Sequence, residues 1–223
     1  MKLTPHPNRL LQWGVVTCVF FLCAVLAAFL IWRVERQELT VNRTRAAGLA
    51  ADHAQSLQRG IESALSATYA LAALVRQGHG EVRNFEEVAT DMLPFYPGIA
   101  ALSLSPGGII RNVVPLAGNE KSIGFNQLQD SVQNQEAIKA RDTGKLTLAG
   151  PFTLAQGGLG VVGRLPVFLN NAEGQKVFWG FTNVALRFPQ ALTSARLKLL
   201  VNEGYAYELW RTVPDTGVRQ TID

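Results

Sequence analysis

The sequence predicts an α+β fold, a sheet with helices packed on one side, preceded by one transmembrane helix and a long helix. Three observations carry this expectation. Residues 13–32 form an uncharged apolar run. Residues 33–77 contain no proline and only two glycines, Gly48 and Gly60. After residue 98, five strand-like runs alternate with turns rich in glycine and proline. Five strands with one helical stretch inserted fit a sheet with helices packed on one side.

The 223 residues leave room for one membrane segment and one domain of ordinary size, or a domain and part of another. The formal net charge is +4, from 21 basic and 17 acidic residues. The basic residues are scattered with no run of five, which argues against a nucleic-acid partner. Cys18 and Cys23 both lie in the apolar run and the rest of the chain lacks cysteine. That excludes a disulfide framework and a CxxC zinc site.

The apolar run WGVVTCVFFLCAVLAAFLIW, as a helix rising about 1.5 Å per residue, spans about 30 Å, the thickness of a bilayer core. Trp13 and Trp32 suit the two interfacial belts. A cleaved signal peptide is the rival, because Lys2 and Arg9 form a short basic leader. Signal cores are shorter, and here apolar residues continue to Trp32 past Ala24, Ala27 and Ala28. An uncleaved anchor is the expectation. Arg33, Arg36, Arg43 and Arg45 follow the span, so basic charge alone leans weakly against a cytoplasmic N-terminus.

From residue 33 a continuous helix is expected. Ala47, Ala50, Ala54, Leu57, Ile61, Ala64, Thr68, Leu71 and Val75 alternate at spacings of three and four, a seam of period 3.5. Asp52, Gln55, Gln58, Arg59, Glu62 and Arg76 make a polar face. The seam could pair with its copy in a homodimer or lie along its own domain, since both produce the same stripe. Asn42-Arg43-Thr44 is a glycosylation sequon only in a glycosylating host.

Gly78-His79-Gly80 is a helix stop. Asn84 is placed to cap a short helix over 85–93, ahead of Pro94. Strands are expected over 99–104, 109–115, 146–149, 159–168 and 177–186, with a helix over 130–141. Pro106-Gly107-Gly108 and Gln156-Gly157-Gly158 are turns. Beyond residue 188 the pattern gives an amphipathic helix over 191–201, with Leu192, Ala195, Leu199 and Leu200 on one side. A strand over 205–210 and a turn at 214–217 follow.

Residues 158–163 spell GxGxxG, but Arg164-Leu165-Pro166 follows, an extended segment whose proline would interrupt a helix. Glycines where two backbones or a ligand come close in a sheet explain the run without a nucleotide. His6, His53 and His79 lack metal-ligand spacing, and no GxSxG, P-loop or HExxH occurs. Glu86 and Glu87 are first-turn acids of a helix. Neither catalysis, nor a metal, nor a cofactor is expected.

Several segments recur in one order: Tyr96-Pro97-Gly98-Ile99, Pro106-Gly107-Gly108-Ile109-Ile110, Pro115-Leu116-Ala117-Gly118-Asn119-Glu120 and Ile123-Gly124. Ala140-Arg141-Asp142-Thr143-Gly144, Gly150-Pro151-Phe152, residues 163–168 and Phe178-Trp179-Gly180-Phe181 complete the set. Together they resemble the CHASE domain, the extracytoplasmic sensory module of bacterial and plant receptors. The resemblance implies a PAS-like fold with an antiparallel sheet on a long N-terminal helix, a cytoplasmic N-terminus, and a sensor in the periplasm or outside the cell. It also implies an output domain elsewhere, such as a histidine kinase or diguanylate cyclase, for which 223 residues leave no room. The chain is accordingly expected to be a fragment or a truncated product.

PAS-like sheets hold small molecules in a mostly apolar cleft with a few orienting polar groups. Asn119, Glu120 and Arg164 are the polar candidates, and Pro115, Leu148, Ala149, Leu159, Gly160 and Val162 complete the expected ligand site. In the cytokinin-binding receptors that the chain resembles, an acid near Glu120 accepts a hydrogen bond from the ligand ring. A hydroxyl residue stands there in place of Ala149, which speaks against cytokinin itself. A solvated loop carboxylate is the plain reading of Glu120. Arg164 either meets a ligand carboxylate or caps a buried acid, because an unpaired buried guanidinium is costly. Phe178, Trp179 and Phe181 read as core.

The expected organisation is a cytoplasmic N-terminus (1–12), a transmembrane helix (13–32), a stalk helix (33–80) and a sensor lobe (81–187). A membrane-proximal lobe starts at 188–223. The expected function is a single-pass, inner-membrane sensory input module for a small molecule, homodimeric through the stalk. The alternative is a periplasmic interaction or dimerisation module without a small-molecule ligand.

Overall fold

The structure is a computed structural model that describes residues 7–129, 134–212 and 217–222. It divides into two compact units, residues 1–51 and 52–223. The expected N-terminal leader lies partly outside the described residues, as do the start of the 130–141 helix and most of the 214–217 turn.

Helix α1, Pro7–Gln77, covers the apolar run and the proline-free stretch without a break. It is the one described helix long and apolar enough to cross a membrane. In the first unit its large apolar side chains from Trp13 to Val41 are all at least half exposed.

In the second unit a five-stranded antiparallel sheet has the order β2-β1-β5-β4-β3, a PAS-like arrangement. The strands are β1 (Ile99–Pro106), β2 (Asn112–Val114), β3 (Thr147–Thr153), β4 (Leu159–Asn170) and β5 (Lys176–Arg187). The long central strands alternate buried apolar side chains on both faces, because each face is covered. On one face Ala64, Ala67, Leu71, Ala72 and Val75 of α1 pack on Leu102, Val161, Leu165, Val167, Val184 and Leu186. The second half of the heptad seam is therefore spent on the chain's own sheet. Ala47, Ala50 and Ala54 remain exposed.

Helix and sheet approach closely at a glycine. Any side chain at Gly163 would run into Leu65 Cδ2. Thr182 Oγ1 donates to the Thr68 carbonyl at 2.9 Å in the same buried layer. The other face carries α3 (Asn134–Thr143), whose Ala137 and Ala140 pack on Phe181. Phe178 and Phe181 are core on this side, with ring centroids 5.0 Å apart. Trp179 packs on the α1 side instead, because the β4–β5 register shifts between Val167 and Phe168 and leaves Trp179 as the extra residue of a bulge.

Several expectations need correction. Helix α2 is Phe85–Met92, but Asn84 adopts a left-handed conformation (φ 53°) and makes no side-chain capping bond. The 109–115 strand shrinks to three residues, because Ile109 bridges to Asn126 instead. The amphipathic helix over 191–201 is broken. A 3-10 turn, Gln190–Ala195, ends at Arg196 (φ 49°), and α4 covers only Lys198–Asn202. Leu199 is left 46% exposed, while Leu192 and Leu200 of the same expected face are buried. Residues 205–209 are irregular, and a small hairpin begins at β6 (Trp210–Thr212) with β7 (Arg219–Thr221).

Candidate ligand cleft

Cross-strand register places side chains of one face in rows. Thr147, Arg164, Asn183 and Ser103 are successive partners on β3, β4, β5 and β1. Ala149, Val162, Ala185 and Ala101 form the next row on the same face. Small and polar residues there leave the sheet low. The segment 108–129 crosses over it and contributes Ile110, Ser122, Phe125 and Gln127. Between them lies a cavity of about 40 Å³, also touched by Leu154 and Gln156.

A buried polar chain runs along its floor. Arg164, 1% exposed, donates from Nε to Gln127 Oε1 at 2.7 Å. Arginine has no acceptor, so the Gln127 amide oxygen must face it. Gln127 Nε2 then donates to Ser105 Oγ at 2.9 Å. Asn183 Nδ2 donates to Ser105 Oγ and Ser103 Oγ at 2.7 and 3.1 Å. Asn183 Oδ1 is buried and finds no partner among the described residues. A buried acceptor of this kind on a cavity wall is a place for a ligand donor or a water.

Of the residues singled out from sequence, Val162 and Arg164 line this cavity. Ala149 is buried in the adjoining row beside Val162. Gly160 lies on the same face, and the space a side chain would take is filled by Leu154. Leu148 pairs with Gly163, which puts it in the rows of the α1 face, 44% exposed. Leu159 is half-buried at the start of β4.

Asn119 is 2% exposed but is engaged by protein. It donates to the exposed Pro115's carbonyl at 2.9 Å and accepts from Arg187 Nη2 at 3.3 Å. Glu120 is exposed and folded back on its own loop, accepting the Gly118 N–H at 3.0 Å. Its own backbone N–H, and then that of Gly118, hold the carboxyl below its ordinary value. The loop therefore favours the ionised form. Its contribution is present above the unfolded carboxylate's value and fades as pH falls through the lowered one.

Sequence reasoning passed over Ser103, Ser105, Gln127 and Asn183. Alternation flags the two serines and Asn183 as polar residues inside apolar strands, which a buried network would explain. Gln127 carries no such signal, because it lies in a loop.

A cleft-bearing PAS-like sheet carried on a long helix with an apolar N-terminal span is the architecture of a membrane-linked sensory domain. Residues 51–214 match the CHASE domain family, and the chain belongs to it. CHASE domains are extracytoplasmic, sensory and non-catalytic. A search of curated proteins gives no match. Among solved structures the chain is similar to an extracellular ligand binding receptor from Desulfohalobium retbaense DSM5692. The TM-score is 0.56 at 16% identity, over 71% of this chain and 28% of that one. That likeness concerns the fold, and the chain spans well under half of the receptor it matches.

Proposed function

We propose that the chain is the ligand-sensing input module of a single-pass receptor of the inner (cell) membrane, anchored through residues 13–32. A small molecule over Arg164 and Asn183 favours one arrangement of the sheet, and α1 passes the difference on. A ligand shifts such an equilibrium only by its differential affinity for the two arrangements.

One observation carries this reading. Asn183 faces the cleft, while the preceding residue, Thr182, is bonded to the Thr68 carbonyl of α1. A displacement of β5 by a ligand is thus felt at the helix within one residue. The exposed half of the seam, Ala47, Ala50 and Ala54, supports a homodimer through α1.

The test is a thermal-shift screen of the full chain in lipid nanodiscs against purines, amino acids and short peptides. A ligand at a hundred times its Kd adds about 2.7 kcal/mol. Binding should alter hydrogen exchange over residues 61–77. Thr182→Val should retain binding but lose that change. If Thr182→Val transmits like the parent, the relay through β5 is wrong.

The size of the cleft favours a second reading. About 40 Å³ accommodates about three waters, at about 10–15 Å³ each, rather than an organic ligand. An interaction or dimerisation module needs no larger space. Absence of any hit, with self-association retained, selects that reading.

A further inference from the structure

A second groove, far roomier than the cleft, lies between the end of α1 and the β4–β5 hairpin. It measures about 560 Å³ and is lined by Arg76, His79, Phe168, Leu169, Asn170 and Lys176. That volume falls in the range of small-molecule sites, about 300–1,000 Å³. We propose that it binds a small organic anion carrying an apolar ring or branched chain.

The lining separates into two kinds of surface. Phe168 and Leu169 are half-buried, and they give the groove an apolar base. Phe168 is held edge-on against Phe178, centroids 5.7 Å apart, and Leu169 packs against the α1-side core. Around this base stand Arg76 and Lys176, both exposed. Neither has an ion-pair or side-chain hydrogen-bond partner among the described residues. Two uncommitted cations beside a fixed apolar wall match an anion with an apolar body, since each half of such a ligand meets its complement.

The backbone at the rim is specialised for presentation. His79 is one of three non-glycine residues with positive φ among the described residues, at 53°. The Gly80 N–H bonds the Val75 carbonyl at 2.8 Å and the His79 N–H bonds that of Arg76 at 3.2 Å. This is a Schellman stop, with His79 at the left-handed position where glycine is preferred. These bonds also satisfy carbonyls whose negative end would otherwise repel an anion. Gly80 lies against Trp179 and Leu169, too close for any side chain, and fixes the turn to the sheet. His79 thus lines the groove from a backbone conformation that a histidine adopts at a cost.

The experiment is isothermal titration of 3-phenylpropionate into the full chain in zwitterionic nanodiscs, corrected with empty nanodiscs. One saturable site is expected. The neutral analogue 3-phenylpropanol and the double variant Arg76→Gln/Lys176→Gln should each bind at least about tenfold more weakly. Both residues are exposed, so the variant should melt like the parent, which a parallel circular dichroism melt checks. No saturable heat below millimolar concentration, equal affinity for the alcohol, or an unaffected double variant each overturns the proposal. None of these outcomes bears on the cleft, whose residues the variants leave intact.

Discussion

Replacing Arg164 by Met and Gln127 by Leu, singly and together, measures the bond at the floor of the cleft. Arg164 Nε and Gln127 Oε1 are 2.7 Å apart, and both residues are about 1% exposed. A buried hydrogen bond to a charged group contributes about 1.5–3 kcal/mol. Gln127→Leu takes an acceptor from a dry guanidinium and should cost about 3 kcal/mol. Arg164→Met keeps the apolar stem but leaves Gln127 Oε1 without its donor, for about 2 kcal/mol. Because both changes delete the same bond, the double variant should cost about 3 kcal/mol rather than the sum of about 5. Arg164 keeps its other contacts in the Gln127→Leu background, so the coupling isolates this one bond. For a unit of this size each kcal/mol lowers Tm by about 2–4 °C. Melts of the full chain in nanodiscs, followed by tryptophan fluorescence, read the three shifts. Additivity within about 0.5 kcal/mol would show that Gln127 does not hold the guanidinium, and the account of the cleft floor would fail.

Two further outcomes follow from backbone geometry. Gly180 has φ 153° and pairs with Pro106; a Cβ there would run into the Ser105 carbonyl oxygen and stand 2.8 Å from Pro106 Cα. Gly180→Ala should therefore part β1 from β5 and cost about 2–4 kcal/mol, seen as a lower Tm with faster amide exchange in β1. His79→Gly should do the reverse, raising stability by up to about 1 kcal/mol through relief of the left-handed strain, and the same melts would detect it. A loss of stability in His79→Gly would mean that the imidazole contributes to folding rather than to the groove.

Much of the fold was legible because its signals are local. The uncharged run, the absence of proline to residue 77, and the glycine and proline turns each act over a few residues. They mark α1 and the three long strands with small errors at the ends. Elements whose existence depends on a distant partner were misread. The 191–201 pattern has helical spacing, yet Arg196 turns left-handed and splits it. The 109–115 run has strand composition, yet only three of its residues pair with β1.

The candidate site divides in the same way. Arg164 stood out in the sequence, since a cation within an apolar strand must have a buried purpose. Its acceptor is 37 residues away in a loop without distinctive composition, and only the folded chain brings Gln127 to it. Glu120 shows the converse: a carboxylate in a suggestive motif that the chain uses to hold its own loop. The order of residues thus determined a helix long and apolar enough to cross a membrane, a sheet-forming domain and the family to which it belongs. Tertiary structure decided which half of the heptad seam is covered, which polar groups share the cleft and how little space they enclose. The reason is physical: periodicity reports which face of an element is apolar, whereas the partner of that face is chosen by contacts across the whole chain.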